Sequence, residues 1–152
     1  MTLPNIKKLN NQRGFTIVEL LIVIVIIGIL AAITIIAYNG ITQRANTASA
    51  KSAANSAIAK MEAYNADANN NAGGYPQTTS AMTGAPATAT YALNGVTFST
   101  TQFTTTAPSA PSVLNFYTCT TGAQVGYYDY TAKAEVLMGT GGAATCTYKA
   151  AS

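Results

Sequence analysis

The sequence predicts an α+β protein: a long N-terminal α-helix, apolar in its first half and amphipathic in its second, packed on a small antiparallel β-sheet head. Three observations carry that prediction. No residue from Leu20 to Gln43 is charged. Apolar residues then recur at three- or four-residue spacing as far as Ala68, and from Tyr91 onward short β-branched and aromatic runs are divided by glycine or proline. The chain has 152 residues, room for about one domain, and the contrast between its first third and the remainder confines the compact part to roughly 80 residues.

The first element is a basic segment. Lys7, Lys8 and Arg13 are the only charged residues before Phe15, so of the 8 basic and 5 acidic side chains, five of each follow. The net charge of +3 therefore belongs to the N-terminus. The remaining cations are too scattered along the chain to suggest a nucleic-acid groove, which needs clustered Lys and Arg. Charged residues make up only 9% of the chain and histidine is absent. That composition removes most acid/base and metal-binding apparatus and argues against an enzyme.

The second element is the apolar run. Residues 20–43 as a helix rise about 1.5 Å each, long enough to cross about 30 Å of hydrocarbon. The run exceeds the apolar core of an ordinary cleaved secretory signal, and the basic residues before it favour a cytoplasmic N-terminus and an exported C-terminal part. Glu19 stands at its start. A carboxylate there needs a partner, because charge inside a spanning helix is costly and marks function. A cut after Gly14 creates an α-amine on Phe15, one helical turn before Glu19, and the helix dipole favours an acid in the first turn.

These residues, "RGFTIVELLIVIVIIGILAAI" from Arg13 to Ile33, resemble the class III signal and N-terminal helix of type IV pilins and their pseudopilin relatives. The resemblance rests on a short basic leader ending in glycine, an aromatic residue after the cut, and glutamate at the fifth mature position. It implies cleavage between Gly14 and Phe15 by a membrane aspartyl prepilin peptidase and N-methylation of Phe15. It also implies extraction from the membrane by an assembly platform and ATPase machinery into a helical homo-oligomeric filament. Glu19 is then expected to meet the Phe15 amine of a neighbouring subunit, as a docking register between two groups that both need a partner; a pair within one chain is the competing geometry.

Gly28 and Ala32 form a small-xxx-small pair suited to close helix packing in lipid. Where many pilins place a helix-bending proline, this chain has Ile36; bending near Gly28, or at Asn39-Gly40, is expected in its stead. The domain organisation read from these features is a leader over 1–14, an apolar helix over 15–40, an amphipathic helix over 41–70 and a β-rich head over 71–152. Ala50, Ala54, Ile58, Met61 and Tyr64 or Asn65 mark the amphipathic stripe. A single rod from about Thr16 to Asn69 is expected, with a break at Asn39-Gly40 as the alternative.

Asn69 to Asn71, Gly73, Gly74 and Pro76 end the helix, and Gly-Tyr-Pro at 74–76 also resembles the segment after the first helix of many pilins. Residues 78–106 are rich in Ser and Thr and read as exposed loop with short strands, or as an O-glycosylated or contact surface. Asn94-Gly95 signals a hairpin, and "VLNFYTC", "QVGYYDYT", "AEVLMG" and "ATCTYK" read as strands. The ladle shape implied by the resemblance agrees.

Cys119 and Cys146 lie in this region, outside the cytoplasm on the inferred topology, so a disulfide is expected; many pilins staple a C-terminal loop in this way. Two cysteines without histidine do not complete a zinc site. Asp129 and Glu135 are too few for calcium and are expected as exposed charges at hairpin ends. Strand alternation puts Tyr128 and Tyr130 on one face and Tyr127 on the other. No cofactor is expected. The reading is a type IV pilin precursor, held in the cytoplasmic membrane and then assembled into an extracellular filament for surface attachment, with motility or DNA uptake as further uses. The alternatives are a pseudopilin of a type II secretion or competence system and a permanently membrane-anchored surface-binding protein.

Overall fold

A computed structural model describes residues 14–67, 74–86, 88–140 and 146–151. The chain divides into two compact units, Met1–Tyr38 and Asn39–Ser152. Helix α1 (Ile17–Ala66) begins in the first and ends in the second.

In the first unit the described residues all lie exposed. Ile, Leu and Val cover every side of the helix, and it is long and apolar enough to cross a membrane by length and composition. Its one hydroxyl in the middle of the run is satisfied locally: Thr34 Oγ1 donates to the Leu30 carbonyl at 2.7 Å, the back-bond that lets threonine sit in an apolar helix. The break weighed at Asn39-Gly40 does not form; α1 is helical through both residues.

In the second unit the helix has one buried stripe, Ala50, Ala54, Ala57, Ile58 and Met61. Three alanines in that stripe let the helix approach the sheet closely. Tyr64, expected at the end of the stripe, is half-buried and meets Tyr91 edge-on at 5.0 Å. The helix ends at Ala66, and Ala68 and Asn69 to Gly73 lie outside the described residues. Beyond them Gly74 has φ +120, a backbone region that requires glycine. That turn seats Pro76 fully in the interior and Tyr75 against the core, with the Tyr75 hydroxyl donating to Glu62 of α1 at 2.8 Å.

The short helix α2 (Ser80–Thr83) and strands β1 (Thr97–Phe98), β2 (Val113–Cys119), β3 (Ala123–Asp129), β4 (Ala134–Thr140) and β5 (Cys146–Lys149) follow. The order is β1-β2-β3-β4, with β5 also paired to β2. The β2–β3, β3–β4 and β2–β5 pairs are antiparallel. The expected purely antiparallel sheet is corrected at one edge, where β1 pairs parallel with the start of β2.

The hairpin expected at Asn94-Gly95 is corrected with it. Gly95 does take the left-handed conformation, φ +78, but the residues before it do not extend. Leu93 N donates to the Met82 carbonyl and Ala92 N to the Ala89 carbonyl, so this flank packs on α2 rather than along β1. Phe98 instead meets Phe116 edge-on at 5.4 Å.

Strand alternation sorts the sheet. Leu114, Phe116, Val125 and Tyr127 join the core with the alanine stripe of α1, and Val136 and Met138 pack against it. The opposite face carries Asn115, Tyr117 and Tyr128, covered by residues around Phe103, which meets Tyr128 edge-on at 6.2 Å. Within β3 the tyrosines follow the period-two rule: Tyr127 is in the core and Tyr128 is on the other face; Tyr130, beyond the strand, meets Tyr128 with centroids 5.2 Å apart and also packs against the core.

Candidate processing and assembly segment

Gly14, Phe15 and Thr16 precede the first turn of α1, and Phe15 is 85% exposed. Thr16 and Glu19 form a reciprocal cap. The Thr16 amide and hydroxyl both donate to Glu19 Oε2 at 2.8 Å, and the Glu19 amide donates back to Thr16 Oγ1 at 3.3 Å. This is the S/T-x-x-E capping box, in which two orphan donors at a helix start are satisfied together. In the intact chain, then, the partner of Glu19 is Thr16, the second residue after the Gly14-Phe15 bond, and Phe15 still contributes a peptide amide and no ammonium. The sequence signal for this box is Thr16 three positions before Glu19, a partner for the carboxylate that needs no cation.

Gly28 and Gly40 stand in open space; a Cβ built on either meets nothing within 4 Å. Within one chain, packing therefore does not require glycine at these positions. Ala32 is likewise exposed beside Gly28.

Cys119 and Cys146 are bonded, and they stand directly opposite each other in the β2–β5 register. The bond joins the central strand β2 to the last strand, a sequence separation of 27 residues.

Asp129 and Glu135 depart from the expectation of exposed hairpin-end charges. Asp129 Oδ1 accepts the amides of Thr131 and Ala132 at 2.7 and 3.0 Å and the hydroxyl of Thr47 at 3.1 Å. These bonds, led by the Ala132 amide, hold its carboxyl below the usual range. Thr47 Oγ1 also accepts the Tyr130 amide at 3.0 Å. The β3–β4 turn is so fastened to α1.

Glu135 lies across the sheet over Gly126. Its Oε1 accepts Asn115 Nδ2 at 2.7 Å and the Tyr117 hydroxyl at 3.0 Å, and Gln102 Nε2 reaches Oε2 at 3.3 Å. Burial and the neighbouring Glu135 carboxylate push the Tyr117 hydroxyl up to about 12. The cluster was invisible in sequence, because it needs the register that sets Asn115 opposite Gly126. Among the described residues no group of three or more His, Cys, Asp or Glu could hold a metal ion.

Residues 9–35 match the model of the prokaryotic N-terminal methylation motif. The N-terminal segment carries this motif. A fimbrial protein of Moraxella nonliquefaciens is 55% identical over 42 residues, which cover 28% of this chain. The chain spans only 27% of the length of that relative. No solved structure matches the chain.

Proposed function

We infer that the protein is a type IV pilin precursor, made as a membrane-held subunit and assembled into an extracellular filament. The observation that carries this reading is the match of residues 9–35 to the methylation motif, continued by a helix whose apolar half, from Ile17 to Tyr38, has all its side chains exposed. On this reading residues 1–14 are a leader, and prepilin peptidase cuts between Gly14 and Phe15. The new Phe15 amine is methylated and becomes available to a neighbour.

The capping box adds a step. While the subunit is alone, Thr16 satisfies the Glu19 carboxylate; during assembly the Phe15 amine of another copy joins or replaces it, and only one axial offset brings the two together. Gly28, Ala32 and Gly40 supply small surface for helices in the filament core. The head carries no step of chemistry in this reading. It folds, is stapled by Cys119–Cys146 and is displayed.

Mass spectrometry of the exported protein tests the reading. It predicts an N-terminus at methylated Phe15; an intact start at Met1 would sink it in favour of a permanent anchor. Glu19→Ala is expected to give processed protein in the membrane with few filaments, and filaments in normal amount would remove the registering role. Surface filaments lost in a deletion strain support a pilus; a secretion or uptake defect without filament loss points to a pseudopilin.

A further inference from the structure

We propose that Asn94-Gly95 is a self-modification site, at which the Gly95 backbone nitrogen closes on the Asn94 side chain and converts it to aspartate and isoaspartate. The sequence holds two Asn-Gly dipeptides, at 39–40 and 94–95, and the fold gives them opposite fates. The reaction needs no enzyme and no cofactor. It needs a glycine after the asparagine, because no Cβ then shields the attacking nitrogen, and it needs that nitrogen free of other hydrogen bonds.

At 94–95 both conditions are met. Asn94 and Gly95 are exposed and lie outside any helix or strand, and a Cβ built at Gly95 would meet nothing within 4 Å. Among the described residues neither the Asn94 side-chain amide nor the Gly95 N–H has a hydrogen-bond partner. Leu93 and Val96, on either side, are buried, which keeps the dipeptide itself turned to solvent. At 39–40 the exposure is the same and the space around Gly40 is equally open, but both residues lie inside α1. A helical backbone holds each N–H on the carbonyl four residues back, so the Gly40 nitrogen must leave the Ile36 carbonyl before it can attack.

The bonds balance without an oxidant. The bond from Gly95 N to Asn94 Cγ forms, the Cγ–Nδ2 bond breaks, and the Gly95 amide proton leaves with the side-chain nitrogen as ammonia. Water then opens the succinimide and returns a proton to Gly95 N. Attack at Cγ gives aspartate; attack at the Asn94 backbone carbonyl gives isoaspartate, in which the main chain runs through Cγ. Either product sets a carboxylate on the rim of a cavity of about 430 Å³, lined by Thr79, Thr83, Leu93, Val96 and Phe98, whose lining carries no charge before the reaction. The inference does not depend on the pilin reading.

The full chain in detergent is held at mildly alkaline pH in heavy-oxygen water, sampled over time, digested in ordinary water and peptide-mapped by mass spectrometry. Asn94 is expected to convert to a mixture of aspartate and isoaspartate, each with one heavy oxygen, at a rate that rises with hydroxide concentration. Asn39 in the same samples should convert at least about tenfold more slowly, the ratio given by a barrier difference of about 1.4 kcal/mol. Equal rates at the two sites overturn the proposal. So does an Asn94 that stays intact while a short peptide spanning Leu93 to Val96 converts. Aspartate without isoaspartate overturns it as well, because that product comes from direct hydrolysis and not from closure by Gly95.

Discussion

The two halves of α1 obey opposite rules although one unbroken helix carries them. Before Tyr38 the side chains are large, branched and apolar on all sides, and Ile26 and Ile27 are 50% and 58% exposed. After Gly40 the apolar residues shrink to an alanine stripe, and Ala54 and Ala57 are fully buried. The half with more hydrophobic surface is the one its own fold leaves bare. Burial of apolar area is favourable at roughly 25 cal/mol per Å², so the bare half retains a large unspent drive to find lipid or other copies. The covered half has spent its own on the sheet, and alanine is the residue that brings a helix backbone near a strand.

The comparison breaks or holds first on core substitutions. Phe116→Ala removes a fully buried ring at the centre of the head and is expected to cost about 3–5 kcal/mol, seen as a lower urea midpoint of the detergent-solubilised protein. Ile26→Ala, in the bare half, should leave the same midpoint within about 0.5 kcal/mol. A large effect of Ile26→Ala on head unfolding would show that the two halves are energetically one. Next in size is the staple. Removing both cysteines as C119S/C146S frees a 27-residue separation and should lower head stability by about 3.5 kcal/mol on the chain-entropy model, again without a change in vesicle insertion.

Polar detail gives a third and smaller contrast. A Cβ at Gly126 would lie 1.9 Å from Glu135 Oε1, so Gly126→Ala displaces the carboxylate and strips the buried Asn115 of its partner. The expected cost is about 1–3 kcal/mol. In a Glu135→Ala background the same substitution should be nearly neutral, because the clash is gone. Gly28→Ala, where a Cβ meets nothing, should not destabilise the monomer at all; if filament yield falls while the monomer stays intact, the small surface serves contacts between copies.

How much of this was legible depended on range. The apolar helix follows from an uncharged run over residues 20–43, and the alanine stripe and the four strands from Val113 on follow from periods of 3.6 and 2 that local sequence displays. Even the alternation of Tyr127 and Tyr128 could be read. The β1 edge could not, because Asn94-Gly95 has the chemistry of a hairpin turn, and only the pull of Met82 and Leu93 into the core decides that its first flank is no strand. Glu135 likewise looks like any surface acid until register places it over a glycine and beside Asn115. The N-terminal segment was the most legible of all, since its spacing constrains recognition and a helix start over a few consecutive residues.

The smallest predicted effect concerns the tie between the amphipathic half and the β3–β4 turn. Asp129 has its carboxyl held low in the folded protein, first by the Ala132 amide and further by Thr131 and Thr47. A depressed folded value means that the stabilisation is present in full above the unfolded value, about 3.9, and is lost as pH falls through the folded one. Head stability should therefore decline as the solution is taken from about pH 5 to below the ordinary aspartate range. Asp129→Asn should flatten that decline, and Thr47→Val should shift it to slightly higher pH by removing one hydrogen bond to the charged form. Urea midpoints measured across this window check both. A pH profile identical in wild type and Asp129→Asn would mean that the turn is held by the Tyr130 amide on Thr47 alone, and that the carboxylate adds nothing to the fastening of the covered half.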